Sequence, residues 1–261
     1  MPRSLFDAWP AFERQLRAQR GLLIAFDFDG TLAAPVPHPN RSRLGGRTRR
    51  LLERLQRLNR GSTAIISGRG LADLRRRAAA EGLIYAGNHG IEMAGPGIRF
   101  LHPKARAAAR ALRPIAAALK RRLREHPRVH IEDKRFSLSL HFQGAPAGDQ
   151  DAVRRAVESA TAGRRRSFEV LLGRGVSEVR PRISWEKGDA LRRLRGRSRR
   201  FPVFVGDDTV DEHAFAAARS AGGAGIRIGR PRHSAATHYL DRQSQVNDLL
   251  ARLARLLEGA G

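Results

Sequence analysis

Apolar positions along this chain fall into two patterns that alternate. Leu22-Leu23-Ile24-Ala25-Phe26 forms a continuous apolar run, which predicts a β-strand from Gly21 to Phe28. Beyond a proline-rich loop (Pro35, Pro37, Pro39), Leu51, Leu52, Leu55 and Leu58 recur at helical spacing and predict a helix over residues 48–59. Thr63 to Ile66 reads as a buried strand ending at Ser67-Gly68-Arg69, with a short helix from Leu71. Leu83 to Ala86 reads as a third strand ending at Gly87-Asn88-His89-Gly90. Strands alternating with helices predict a parallel sheet with helices on its faces.

The alternation then breaks. A long Ala/Arg/Leu helix is predicted from Lys104 to Glu125, followed by strands over 129–132 and 135–142. In the second strand Phe136, Leu138, Leu140 and Phe142 alternate with Ser137, Ser139 and His141, which predicts one buried face. A helix over 149–161 and strands over 168–172 and 176–179 complete an inserted α+β region, bounded at 101–180. Alternation resumes with a helix over 186–194, a strand over 202–205 ending at Gly206-Asp207-Asp208, a helix through 214–218, a strand over 224–228 and a C-terminal helix over 246–257. Residues 1–100 and 181–261 are therefore expected to share one sheet.

Composition narrows the class. The chain has 261 residues, 41% hydrophobic and 29% charged, the balance of a folded globular protein. No apolar run reaches the ~20 residues needed to span a bilayer, and no secretory signal is evident, so no membrane partner is expected. Zero cysteines exclude disulfides and thiolate metal sites and fit a cytoplasmic location. The net charge of +25 raises the question of nucleic acid. The arginines are spread along predicted amphipathic helices, and aromatics make up 6%, too few for a base-stacking surface. No nucleic-acid partner is expected; the charge reads as a solvated surface that also attracts anionic substrates. Only Lys104, Lys120, Lys134 and Lys187 depart from arginine, which singles them out as places for a compact ammonium.

Polar residues collect where the predicted parallel strands end: Asp27, Asp29 and Thr31; Ser67; Asn88 and His89; Asp207, Asp208 and Asp211. Ligands bind at such ends in open α/β sheets. Asp27 and Asp29 share their strand's end only if the chain bends between them, and Gly30 permits the bend. Carboxylates from two strands hold an octahedral Mg²⁺ together with water and phosphate oxygens. Ser67 and Lys187 suit the same phosphate, as a hydroxyl donor and a point charge. That chemistry is phosphoryl transfer.

The order and spacing resemble the haloacid dehalogenase superfamily of phosphohydrolases. Asp27-Phe28-Asp29-Gly30-Thr31-Leu32 is similar to its first motif, Ser67-Gly68-Arg69 to its second, Lys187 to its third and Gly206 to Glu212 to its fourth. Gly87 to Glu92, Glu132-Asp133-Lys134, Glu178 to Pro181 and the Pro35 to Pro39 loop resemble the trehalose-6-phosphate phosphatases in particular. The resemblance implies an α/β fold: a dehalogenase-like Rossmannoid core with a parallel sheet flanked by helices, plus an inserted α+β cap. It also implies that Asp27 is the nucleophile and Asp29 the acid and base. Mg²⁺ would be held by Asp27, the Asp29 main-chain carbonyl and Asp207, supported by Asp208 and Asp211. Thr31, Ser67 and Lys187 would bind phosphate, and His89, Glu132, Lys134, Glu178 and Arg180 the sugar of a phosphorylated disaccharide. One position departs from the family: Val210 stands where Thr is usual, and Thr209 precedes it. Two alternatives carry distinct signatures. Another sugar phosphate would change only the cap residues, and a basic nucleic-acid binder on a degenerate hydrolase scaffold would release no phosphate.

Overall fold

The structure is a computed structural model that describes residues 1–36, 41–173, 175–196 and 200–259. Residues 37–39 of the proline-rich loop lie outside the described residues. In chain order the elements are β1 (Arg3–Ser4), α1 (Trp9–Arg17), β2 (Leu22–Phe26), α2 (Gly46–Leu58), β3 (Thr63–Ile66), α3 (Leu71–Ala78), β4 (Ile84–Gly87), β5 (Glu92–Gly95), β6 (Ile98–Leu101), α4 (Ala105–Arg122), β7 (His130–Asp133), β8 (Leu138–His141), α5 (Ala147–Thr161), β9 (Phe168–Gly173), β10 (Val176–Pro181), α6 (Lys187–Arg195), β11 (Phe201–Gly206), α7 (Glu212–Ser220), β12 (Ala224–Ile228), β13 (His238–Leu240) and α8 (Val246–Glu258). Two compact units result: 1–100 with 185–261, and 101–184.

The first unit is built on a nine-stranded sheet in the order β1-β13-β12-β11-β2-β3-β4-β5-β6. Pairing is parallel from β1 to β4, and β4 meets β5 antiparallel. All five residues of β2 are buried, because both faces are covered. Leu22, Ile24 and Phe26 pack with Phe12, Leu52, Leu74 and Leu253 from α1, α2, α3 and α8. Leu23 and Ala25 point the other way, into a layer with Ala190 of α6 and Phe215 of α7. This three-layer α/β/α arrangement has its topological switch between β2 and β11. The chain leaves β2 toward β3 and β4, whereas β11 to β13 extend on the opposite side. Phe100 and Trp185, the residues at the two chain crossings, stack with ring centroids 5.4 Å apart.

The second unit is a four-stranded antiparallel sheet, β7-β8-β10-β9, backed by α4 and α5. Leu138, Leu140 and Val179 face Leu112, Ile115 and Val153 of the helices. The prediction of one buried face along residues 135–142 needs amending, since Ser137 and Ser139 are buried as well as the apolar residues. Among the described residues, no helix is long and apolar enough to cross a membrane.

Candidate active site

β2 and β11 run parallel with Phe26 opposite Val205, and the Asp27 N–H donates to Val205 O at 2.8 Å. That register brings Asp27 and Asp207 out at the same end of adjacent strands. Gly30 follows with φ +76°, and a Cβ there would stand 2.1 Å from Asp207 Oδ2. Only glycine meets both the backbone angle and the close approach. The turn returns Thr31, fully buried, so that its hydroxyl donates to Asp207 Oδ1 at 2.9 Å.

Lys187 arrives from the first turn of α6. Glu186 and Asp189 form a reciprocal capping box that fixes this helix start. Gly188 lets the helix approach α7 closely, since a Cβ there would lie 2.4 Å from the His213 carbonyl oxygen. The buried Lys187 ammonium donates to Asp27 Oδ1 at 2.6 Å and to Asp211 Oδ1 at 2.7 Å. Asp211 is fully buried, and its second oxygen accepts from the backbone N–H groups of Asp207 and Asp208, at 3.0 and 3.1 Å.

Electrostatics set what this cluster tolerates. Burial pushes the Asp27 carboxyl up to about 8; Lys187 opposes the rise and Asp211 adds to it. Burial also works against the Lys187 ammonium, but Asp27 and Asp211 outweigh it and hold its pKa above the ordinary lysine value. Asp207 is raised by burial, with Thr31 opposing and Asp211 adding to the rise. Three carboxylates share one ammonium here, so surplus negative charge is what burial resists. Carboxylate oxygens of Asp27, Asp207 and Asp211 lie within 4.8 Å of one another. A hard divalent cation such as Mg²⁺ matches both the charge deficit and the oxygen-only donor set.

Two residues expected at the metal, Asp208 and, through its main-chain carbonyl, Asp29, direct their side chains elsewhere. Asp208 is exposed, and its carboxylate caps the following turn, accepting from Thr209 N at 2.5 Å and Thr209 Oγ1 at 3.0 Å. The Asp29 side chain also stays outside the acidic cluster. Both its oxygens accept from Arg69, from Nε and Nη2 at 2.7 Å each. Arg69 was not singled out from the sequence. It is buried, and a second carboxylate, Asp73, accepts from its Nη1 at 3.0 Å. Burial opposes the Arg69 charge, and the two aspartates outweigh that and raise its pKa. Its place directly after Ser67-Gly68 was the available signal. Ser67 lies beyond β3, next to β2, and its Oγ accepts from Arg69 N at 3.2 Å. The His89 N–H donates to Ser67 O at 2.9 Å, which ties the loop after β4 to the loop after β3.

This geometry has known relatives. The trehalose-phosphatase family model matches residues 25–245. The trehalose-phosphate phosphatase of Mycobacterium tuberculosis (strain ATCC 25618 / H37Rv) is 36% identical over 251 residues, which is 91% of this chain and 62% of that protein. The chain belongs to the trehalose-phosphatase family. It spans about three-fifths of the length of the curated family members it matches. The C-terminal domain of the Candida albicans trehalose-6-phosphate phosphatase shares the fold, with a TM-score of 0.75, 21% identity and 98% of each chain covered. A haloacid dehalogenase-like hydrolase from Bacteroides thetaiotaomicron does so more distantly, with a TM-score of 0.57 and 16% identity over 90% of this chain and all of that one.

The remaining family-implied residues lie in the second unit. Glu132, Ser139 and Glu178 align in one row across β7, β8 and β10, on the sheet face opposite the helices. Glu178 Oε1 accepts from Ser137 Oγ at 2.9 Å and lies 3.5 Å from Lys134 Nζ. Glu132 pairs with His141 Nε2 at 3.0 Å, a partner not anticipated from the sequence, and Arg180 Nε donates to Glu169 at 2.6 Å. Thus the structure joins Asp27, Thr31, Lys187, Asp207 and Asp211 in one cluster, and Glu178 with Lys134 in another.

Proposed function

We propose that this chain is a Mg²⁺-dependent phosphatase that hydrolyses trehalose 6-phosphate to trehalose and phosphate. The observation that carries this reading is the buried Asp27–Lys187–Asp211 array with Asp207 beside it, at the switch point of the sheet. The names of the matched relatives support the substrate. Asp27 and Asp207 would hold the cation, with Asp211 behind them. Bound there, Mg²⁺ would neutralise charge on the transferring phosphoryl group.

The protein's own residues account for the rest. Asp27 attacks phosphorus, and the bond from phosphorus to the sugar oxygen breaks. Asp29, released from Arg69 and protonated, gives its proton to the departing alkoxide. The resulting aspartyl-phosphate is attacked by water, whose proton returns to Asp29, and Asp27 is regenerated as phosphate leaves. Lys187 holds Asp27 in place and offsets charge on the phosphoryl oxygens, with Ser67 and Thr31 as hydroxyl donors. Residues 101–180 act as the specificity cap: Glu132, Lys134, Glu178 and Arg180 bind sugar hydroxyls, with His89 on the core side. We place the reaction in the cytoplasm, with which the absence of cysteine is consistent.

A panel of sugar phosphates assayed for phosphate release, with and without a chelator, tests the reading. Trehalose 6-phosphate should be preferred and the chelator should abolish turnover. Equal rates across the panel would remove the substrate assignment, and unchanged turnover in chelator the metal.

A further inference from the structure

A cationic groove, distinct from the acidic Asp27 cluster, lies wholly within the 101–184 unit. A cavity of about 830 Å³ opens between α4 and the turn after β7, lined by Arg106, Arg110, Arg113, Asp133 and Arg135 around an apolar floor that includes Phe136. Arg106, Arg110 and Arg113 recur at helical spacing on the α4 face that lines it, spanning about 10 Å of helix axis. The single acid is engaged locally, because Asp133 Oδ1 accepts from the Arg135 N–H at 2.7 Å. Among the described residues, none of the three α4 arginines pairs with a carboxylate.

This arrangement works against the helix. α4 carries six basic residues and no acid, so like charges repel at i,i+3 and i,i+4 spacing. Arg106 also stands in the first turn, where the helix dipole disfavours a cation. Elsewhere the chain relieves such crowding: three arginines of the 69–77 segment converge on Asp73. A polyanion bound in the cavity would supply the relief that α4 lacks. Guanidinium forks match phosphate oxygens, and three of them along one helix face suit linked phosphates better than one. The volume is that of a small-molecule site.

We propose that this groove binds a small anion carrying two or more linked phosphates, separately from the Asp27 site. Calorimetric titration of the full chain with tripolyphosphate and with ATP, in about 0.1 M KCl, tests it. Arg110→Glu with Arg113→Glu should weaken both probes by about tenfold or more. Arg121→Glu with Arg122→Glu, the same charge change on the same helix outside the cavity, should alter them by less than about twofold. Asp27→Asn should keep the binding, and the groove variant should lose no thermal stability and keep its phosphate release without added probe. Equal losses in the two arginine pairs, unchanged binding in the groove variant, or loss of binding in Asp27→Asn would each overturn the proposal. So would an effect confined to ATP, since the base would then be what is recognised. None of these outcomes depends on which sugar phosphate the Asp27 site hydrolyses.

Discussion

Asp27 is both the reactive residue of the proposed chemistry and a burden on the fold. Its carboxyl is raised to about 8, chiefly by burial, whereas an unfolded chain would hold it near the ordinary aspartate value. Between those two values the native state binds the extra proton. The associated stability is therefore fully present below about pH 4 and is lost as pH rises through about 8. Asp27→Asn keeps the shape and removes the charge. In metal-free protein it should raise stability by roughly 1–2 kcal/mol at pH 8.5, or about 2–8 °C in Tm, while abolishing turnover. Below about pH 4 the two proteins should melt together. A Tm difference that is constant across pH would show that Asp27 is not the titrating group, and near-normal turnover would remove it as nucleophile.

Element junctions, rather than elements, place the chemistry. Gly30 is the clearest case: with alanine there, either the φ of +76° or the position of Asp207 must change. Gly30→Ala should reduce kcat by about 10²-fold and weaken Mg²⁺ affinity, with a smaller loss of stability. A variant whose Mg²⁺ titration matches the parent would show that Asp207 does not need this turn. Arg69 matters in another way. It links the turn after β2 to α3 through Asp29 and Asp73, and truncation to leucine leaves Asp73 short of one buried partner. A loss of about 3 kcal/mol is expected by chemical denaturation, reduced if Arg77 compensates at Asp73. The sequence made the parallel strands and amphipathic helices legible, because β2, β3 and α2 bury continuous or helically spaced apolar residues. It did not reveal β5, whose Glu92-Met93-Ala94-Gly95 has neither alternation nor bulk, or the three-residue β13. Nor did spacing separate Asp208, turned outward as a cap, from Asp211, turned inward to Lys187, because side-chain direction in a tight turn is set by hydrogen bonds.

Across the whole molecule the charge of +25 is the least explained property, and the two sites make opposite use of it. The Asp27 cluster is acidic and buried, inside a chain whose surface is rich in arginine. On the proposed function, a dianionic sugar phosphate would be attracted by the molecule at long range and accepted only where Lys187 and a bound cation offset the acids. Long-range attraction is screened by salt, with a Debye length of ~10 Å at 0.1 M and ~3 Å at 1 M, whereas the buried contacts of Lys187 are screened far less. Raising KCl from about 0.05 to 0.5 M should therefore increase KM for the phosphorylated substrate several-fold while kcat changes by less than about twofold. The reverse result, kcat falling at constant KM, would mean that the surface arginines act on the chemical step. An unchanged KM would leave the +25 without a part in substrate capture.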